Sequence, residues 1–273
     1  MEDNINNGRQ PVPLPDNPES IKDWFQAYDT LVRLLRLHCP WDREQTHDSI
    51  SYLMIEECYE TIEAIKSGND EELAKELGDM FLHIVLHAFM AEQRGAFNII
   101  DVMRKSHEKL VSRHPHVFGE VNVSGSGQVL QNWESLKMKE GQKSILQGVP
   151  RSAPALLRAQ RIQEKVSNVG FDWEDKKDVW KKVEEELAEF KAELDSNNTE
   201  NAFDEFGDLL FALVNASRFE NIIAEDALQH TNEKFTRRFK FIEQKAQEMG
   251  KKLKDMTLAE MDEIWEQSKR EVG

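Results

Sequence analysis

Cysteine is scarce in this chain of 273 residues. Cys39 and Cys58 are too few for a disulfide framework, so we expect two free, buried thiols in a reducing cytoplasm. Glycine and proline, at 13 and 8 residues, are also infrequent, which argues against a turn-rich β fold. Since no alternating strand pattern and no signal peptide can be recognised, the sequence predicts an all-α cytoplasmic protein.

Long apolar runs and excess positive charge are missing as well. The longest apolar segment, residues 80–91, is interrupted by His83 and His87 and is too short to cross a bilayer. Acidic residues outnumber basic ones by 51 to 35, which gives a net charge of −16. Because such a surface repels nucleic acid and anionic lipid, we expect no nucleic-acid partner and no membrane partner.

Glutamate is abundant instead, and it is concentrated in residues 183–213. Two helical segments in this stretch are separated by the turn-forming residues 195–199, so they should form an antiparallel hairpin. The hairpin carries two pairs of acids, each pair three residues apart on one helix: Glu186 with Glu189, and Glu205 with Asp208. Carboxylates that face one another repel, and a hard divalent cation relieves that repulsion. A solvated acidic face is the alternative for a single helix.

The same pattern occurs once before, in the first half of the chain. The matching acids of this first copy are Glu56, Glu57, Glu60, Glu76 and Asp79, and each precedes its counterpart by the same interval. Internal repetition of this kind predicts two similar helical units. Gly78 and Gly207 interrupt the second helix of each copy at a cost of about 1 kcal/mol relative to alanine. We therefore expect another helix or a ligand to approach the backbone at both glycines.

The repeat divides the chain into two helical domains. We predict a flexible leader at residues 1–18, a first domain at 19–140, a linker at 141–154 and a second domain at 155–273. Apolar periodicity predicts helices at about residues 19–37, 49–66, 70–94, 98–113, 128–140, 155–166 and 224–249, and a last helix that opens with a capping box at Thr257. Residues 38–42 and 116–127 are predicted loops.

The ligand chemistry of the acids favours a hard metal ion. Oxygen ligands alone select Mg²⁺, or Mn²⁺, over Zn²⁺, and the Glu-x-x-His pairs of a ferritin-like di-iron site are not repeated here. Mg²⁺ usually shares its coordination shell with substrate phosphates. Lys234 and Arg238 lie four residues apart after the second hairpin, and Lys109 and Arg113 have this spacing after the first. We interpret each pair as a phosphate clamp.

Together these residues resemble a known family. Glu-Glu-x-x-Glu followed by Glu-x-Gly-Asp, in two copies, resembles the MazG family of all-α nucleoside triphosphate pyrophosphohydrolases. Further matching stretches are Cys-Pro-Trp-Asp at 39–42, Arg-His-Pro-His-Val-Phe at 113–118, Gly-Phe-Asp-Trp at 170–173 and Asn-Glu-Lys-Phe at 232–235. The resemblance implies two tandem helical bundles, a homodimer, and Mg²⁺-dependent cleavage of nucleoside triphosphates between the α- and β-phosphates in nucleotide-pool housekeeping.

The resemblance also implies a role for individual residues. In the second copy it places the metal on Glu186, Glu189, Glu205 and Asp208, the catalytic function on Glu185, Glu186 and Glu189, and substrate contacts on Lys234, Arg237, Arg238 and Trp265. In the first copy it implies a second metal site at Glu57, Glu60, Glu76 and Asp79, with Lys109 and Arg113. This copy has Ser112 in place of Arg237 and no counterpart of Trp265. We therefore expect the first site to be silent or weaker, because lost cations leave phosphate charge unneutralised.

Two further features keep alternative interpretations. His83 and His87 are one helical turn apart and could bind a metal, but they align with Ala212 and Ala216, so we interpret them as polar groups in a mostly apolar helix. Trp173 could stack on a base or pack in the core. For the whole chain, the alternative function is a non-catalytic acidic helical protein that holds a structural cation.

Overall fold

The computed structural model describes residues 10–125, 127–129, 132–133, 136 and 143–272. Within those ranges the regular secondary structure is helical and no strand occurs, which confirms the predicted all-α class. The chain forms two compact units, residues 1–121 and 122–273. None of the described helices combines the length and hydropathy that crossing a bilayer requires.

Some sequence predictions fall on the remaining residues. The first half of the predicted leader, most of the predicted helix at 128–140 and the start of the predicted linker lie outside the described residues. The domain limits predicted at residues 18, 140 and 154 stay predictions.

The first unit is built around its longest helix. Its described helices are α1 (Ile21–His38), α2 (Pro40–Glu44), α3 (Ser51–Ser67), α4 (Asp70–Gln93), α5 (Ile99–Arg113) and α6 (Pro115–Phe118). The helix α4 packs against α1, α3 and α5, and the core residues are Val32, Ile50, Val85, Leu86, Ala88, Met90 and Ile99. The predicted loops at residues 38–42 and 116–127 are wrong in part, because the short helices α2 and α6 overlap them. Each begins at a proline, whose fixed φ suits the first helical position.

The second unit, like the first, is built around the second helix of its acidic hairpin. Its described elements are α7 (Ala155–Ser167), α8 (Lys176–Asp195), α9 (Thr199–Phe219), α10 (Ala224–Glu248), a 3₁₀ turn (Leu253–Asp255) and α11 (Leu258–Glu271). One core lies between α8 and α9 and contains Val179, Val183, Leu209, Ala212 and Ala216. A smaller core joins α10 to α11. The predicted capping box at the start of α11 is confirmed, since Thr257 and Glu260 exchange side-chain and backbone hydrogen bonds.

The two hairpins turn by the same local mechanism. Gly68 after α3 has φ of 67°, and Asn197 after α8 has φ of 58°, the left-handed conformation that glycine and asparagine tolerate best. The following residue caps the next helix in both copies: the Asn69 side chain accepts from the Glu72 N–H, and the Asn198 side chain accepts from the N–H three residues on. These turns reverse the chain and set each pair of acidic helices antiparallel.

Two expectations about single residues are corrected by the structure. A Cβ added at Gly78 or Gly207 would meet no atom within 4 Å among the described residues, so no described neighbour requires glycine at either position. The Tyr28 hydroxyl on α1 does donate to the Gly78 carbonyl oxygen, at 3.5 Å. Approach of a ligand stays a prediction. The cysteines are free, as predicted, but Cys58 is exposed rather than buried.

Candidate functional site

The hairpin of α8 and α9 brings acids from both helices together. Carboxylate oxygens of Glu186, Glu205 and Asp208 lie within 4.8 Å of one another, and so do those of Glu185, Glu186 and Glu189. Glu186 belongs to both groups and is only 5% exposed. The four predicted metal ligands therefore fall into two overlapping groups that share Glu186. Glu189 belongs to the group on α8 and not to the group that Glu186 forms with Glu205 and Asp208 of α9.

The electrostatics around Glu205 indicate an excess of negative charge in this cluster. Burial raises the pKa of Glu205, and the charges of Glu189, Glu186 and Asp208 raise it further. A carboxyl group surrounded by other carboxylates binds a proton more readily, and it would bind a hard cation for the same reason. The donor set consists of oxygens alone, which fits Mg²⁺ or Mn²⁺.

The cluster also contains a cation of its own, Lys182. Its Nζ lies 2.7 Å from Glu185 Oε1 and 2.6 Å from Glu186 Oε1. These two carboxylates hold the pKa of Lys182 above its usual range. This residue was not among the predicted site residues. The available signal was its position three and four residues before the two acids, but that spacing is common on solvated helix faces.

A cavity of about 680 Å³ opens beside the acids. Apolar side chains that include Phe171 and Trp173 make up about half of its lining. The charged residues of the lining are Asp172, Lys182, Glu186, Asp208 and Arg218. This volume lies within the range of about 300–1,000 Å³ that is usual for small-molecule sites. Trp173 is 46% exposed, so it lies at the cavity surface and not in the core. The second unit therefore places carboxylates and aromatic rings around one space.

The loop between α7 and α8 forms one wall of the cavity. Gly170 has φ of 89°, a conformation that favours glycine, and it precedes Asp172. Arg218 Nη1 donates to Asp172 Oδ2 at 2.9 Å, and Arg218 Nε donates to Asn215 Oδ1 at 3.1 Å. Burial opposes ionisation of Asp172, but hydrogen bonds from Arg218 and from the Ser167 side chain outweigh it and lower its pKa. Neither Asn215 nor Arg218 was singled out by the sequence analysis.

The predicted phosphate contacts do not line this cavity. Lys234, Arg237 and Arg238 lie on α10 and Trp265 lies on α11, outside the cavity lining. The Arg238 guanidinium is 5.6 Å from the centroid of the Trp265 ring, which packs against Phe235 at 5.1 Å. The structure thus brings Arg238 and Trp265 together beside the core between α10 and α11, outside the lining of the cavity.

The first unit contains a similar acid cluster. Oxygens of Glu57, Glu60 and Glu76 lie within 4.8 Å of one another. Asp79 is close enough to act on Glu57, whose pKa is raised by burial and then by the Asp79 charge. Glu76 is 2% exposed, and its Oε2 has no hydrogen-bond partner among the described residues. A buried carboxylate oxygen of this kind is a suitable ligand for a cation.

The lysine in the first cluster comes from the opposite helix of the hairpin. Lys75 Nζ on α4 lies 2.8 Å from Glu76 Oε1, whereas Lys182 lies on the first helix of its hairpin. When the two copies are aligned on their acids, Leu53 corresponds to Lys182 and Lys75 corresponds to Asp204. The two clusters therefore share their acids but not their internal cation.

The predicted basic pair of the first unit does not share a described cavity with the acid cluster. Lys109 is exposed and lines a cavity of about 470 Å³ along α5, and none of the clustered acids borders that cavity. Arg113 ends α5 and is half-buried. A second cavity lies between α1 and α5, and the acids of the cluster do not border it either.

Comparison with known proteins identifies the repeated hairpins. The MazG nucleotide pyrophosphohydrolase domain matches residues 45–118 and 175–242. The chain belongs to the MazG family. Each MazG match contains one complete acid cluster and its basic pair, whereas Trp173 and Trp265 lie outside both matches.

Relatives match the chain over most of its length. A nucleoside triphosphate pyrophosphohydrolase/pyrophosphatase MazG of Thermotoga maritima is 47% identical over 234 residues, which are 85% of this chain and 89% of that protein. A nucleoside triphosphate pyrophosphohydrolase of Escherichia coli K12 is 42% identical over 239 residues, 85% of this chain and 91% of that protein. The uncharacterized protein YabN of Bacillus subtilis is 47% identical over 251 residues, which are 51% of its own length.

Proposed function

We propose that this chain is a cytoplasmic nucleoside triphosphate pyrophosphohydrolase that depends on Mg²⁺, or on Mn²⁺ in its place. It hydrolyses the bond between the α- and β-phosphates and releases a nucleoside monophosphate and pyrophosphate, in nucleotide-pool housekeeping. One observation carries the proposal. The acid cluster of the second unit opens onto a cavity large enough for a nucleotide and lined by aromatic rings. Membership of the MazG family and the names of its relatives support the same activity.

The second cluster fits a hard divalent ion. The residues that would hold it are Glu186, Glu189, Glu205 and Asp208. Burial and then the charges of the neighbouring carboxylates raise the pKa of Glu205, and a bound ion would relieve the repulsion among those carboxylates. When bound, Mg²⁺ neutralises triphosphate charge and polarises the phosphoryl group that is attacked. Lys182 borders the cavity and can donate hydrogen bonds to a phosphate that enters it.

The side chains of the cluster divide the remaining tasks. Glu185, Glu186 and Glu189 lie within one turn of α8, where a carboxylate can orient water and accept its proton. Phe171 and Trp173 offer apolar faces to the nucleoside. We keep the predicted substrate contacts on α10 and α11 as part of the proposal, and they are Lys234, Arg237, Arg238 and Trp265.

We propose that the enzyme is a homodimer, with no nucleic-acid or membrane partner. The support is an exposed apolar stripe on α9, where Phe203, Phe206 and Leu210 are 79%, 47% and 39% exposed. Apolar side chains at this spacing follow one helix face, and such a patch marks an interaction surface. Phe203→Asp is expected to shift the sedimentation coefficient from dimer to monomer. Leu258→Asp, at an equally exposed apolar position on α11, should leave the dimer intact.

The activity is tested with matched substitutions in the two units. Asp208→Asn should reduce pyrophosphate release from a mixture of nucleoside triphosphates by about 100-fold or more, because it removes a carboxylate that would hold the metal ion against the triphosphate. Asp79→Asn, the same change at the equivalent position of the first copy, should retain most of the activity, since we propose that the first site is silent or weaker. Circular dichroism of both variants controls for folding. Equal losses in the two variants would contradict the ranking of the sites.

The alternative is a non-catalytic acidic protein with a structural cation. It predicts that the wild-type chain binds Mg²⁺ but releases no pyrophosphate from any nucleoside triphosphate at saturating metal. A panel of nucleotides with Mg²⁺ and with Mn²⁺ separates the two functions, and absence of turnover in every case would reject the enzyme proposal.

A further inference from the structure

Three histidines of the first unit form a cluster on the side of α4. His83 and His87 lie one turn apart on this helix, and His47 reaches them from the turn at residues 47–50 that precedes α3. The Nδ1 atoms of His47 and His87 are 2.7 Å apart, and their rings are nearly parallel with centroids 5.0 Å apart. The ring centroids of His83 and His87 are 6.0 Å apart.

The cluster is short of hydrogen-bond partners. His83 is 7% exposed and its Nδ1 is buried without a partner among the described residues, as are His47 Nε2 and His87 Nε2. A hydrogen bond between the two facing Nδ1 atoms requires that one ring donates and the other accepts, and it leaves these three nitrogens unused. Because unpaired buried polar atoms are costly, these three nitrogens are suited to bind a group that imidazole can ligate.

We propose that His47, His83 and His87 form a binding site for a transition-metal ion of the Zn²⁺ class. Imidazole suits Zn²⁺, Ni²⁺ and Co²⁺, and two histidines four residues apart on one helix face are a known arrangement for such ions. With metal–nitrogen bonds of about 2.0–2.1 Å, two nitrogens on one tetrahedral ion are about 3.3 Å apart, so the facing Nδ1 atoms of His47 and His87, now 2.7 Å apart, would separate slightly on binding. The nitrogens of the three histidines do not all lie within 4.8 Å of one another, so the His83 ring would have to rotate toward the other two to supply a third ligand.

The chemical state of the cluster supports this assignment. Burial lowers the pKa of His87, and the neighbouring His47 and His83 lower it further, so the ring is in the neutral form that binds metal. The second unit provides an internal contrast, because Ala212 and Ala216 occupy the positions of His83 and His87. The ion would tie the turn before α3 to α4 in the first unit, a role that the carboxylate clusters do not serve.

The test uses the full chain after treatment with a chelator. Mg²⁺ in excess occupies the carboxylate clusters, Co²⁺ is then titrated as the spectroscopic probe, and Zn²⁺ is added as a competitor. We expect about one Co²⁺ per chain with the intense visible absorption of a four-coordinate site, displaced by Zn²⁺. His47→Gln and His87→Gln should each weaken binding by at least about tenfold, since each removes an imidazole ligand. The control variant, His107→Gln at an exposed position on α5, should bind as wild type does.

A second measurement needs no variant, so misfolding cannot confuse it. X-ray absorption of the Zn²⁺-loaded wild-type chain in excess Mg²⁺ should show the outer-shell scattering of imidazole rings. A spectrum with oxygen ligands only would overturn the proposal. So would unchanged Co²⁺ affinity in His47→Gln and His87→Gln, or a wild-type chain that binds no Co²⁺ once Mg²⁺ is saturating.

Discussion

Replacement of Lys182 by methionine probes the charge balance of the second acid cluster. The substitution removes the ammonium group that lies 2.6 Å from Glu186 Oε1 and keeps most of the aliphatic chain. The Glu186 side chain is only 7% exposed, so without Lys182 it becomes a buried carboxylate with other carboxylates as neighbours. The folded state of the metal-free protein should therefore lose stability.

The magnitude follows from the distance and the exposure. At this separation two unit charges attract by about 1.6 kcal/mol at the dielectric constant of water, and by several times more in a protein interior. Lys182 is 39% exposed, so solvent screens the pair, and desolvation of Glu186 offsets part of the attraction. We expect a loss of about 1–2 kcal/mol in the free energy of unfolding, or about 2–8 °C in the melting temperature.

The assay compares thermal unfolding of Lys182→Met and Lys181→Met with and without Mg²⁺. Lys181 is the matched control, because its partner is the exposed Asp178 at 2.7 Å, outside the cluster, and its loss should cost under about 0.5 kcal/mol. With a chelator present, only Lys182→Met should be clearly destabilised. Saturating Mg²⁺ should narrow that difference, since the ion neutralises Glu186 in place of the ammonium group. Equal losses in the two variants, or a stability difference that Mg²⁺ leaves unchanged, would contradict a role of Lys182 in balancing the charge of Glu186.

Two further predictions concern α9. The pKa of Glu205 is raised above its ordinary 4.5, so its ionisation destabilises the metal-free fold at neutral pH and this penalty fades as pH falls through the folded pKa. Glu205→Gln should accordingly raise the melting temperature of the metal-free protein at pH 7, and by progressively less toward pH 4.5. The same variant should no longer be stabilised by Mg²⁺. The control Asp204→Asn should show neither effect. Gly207→Ala should stabilise the fold by about 0.5–1 kcal/mol in chemical denaturation, because its Cβ meets open space. A destabilised Gly207→Ala protein would mean that a ligand or a second copy packs there.

Local physical chemistry made the helical hairpins predictable. The limits of α3, α4, α8 and α9 depend on turn formers and caps such as Gly68 and Asn198, whose conformational preferences act within a few residues. The three-residue spacing of the acids on each helix is equally local, so the sequence alone predicted which carboxylates would face one another. Repetition of the acid pattern at a constant interval then determined that the chain contains two such hairpins.

Tertiary structure decided what surrounds those acids. Lys182 and Lys75 enter the two clusters from opposite helices, although both spacings resemble ordinary surface pairs in the sequence. The cavity depends on how α7, α8, α9 and the loop at Gly170 meet in space, and sequence spacing does not encode those distances. For the same reason His47, far from His87 in the sequence, became a neighbour of the α4 histidines only through folding. Interactions within one helix follow from the local sequence, whereas contacts between elements depend on their packing.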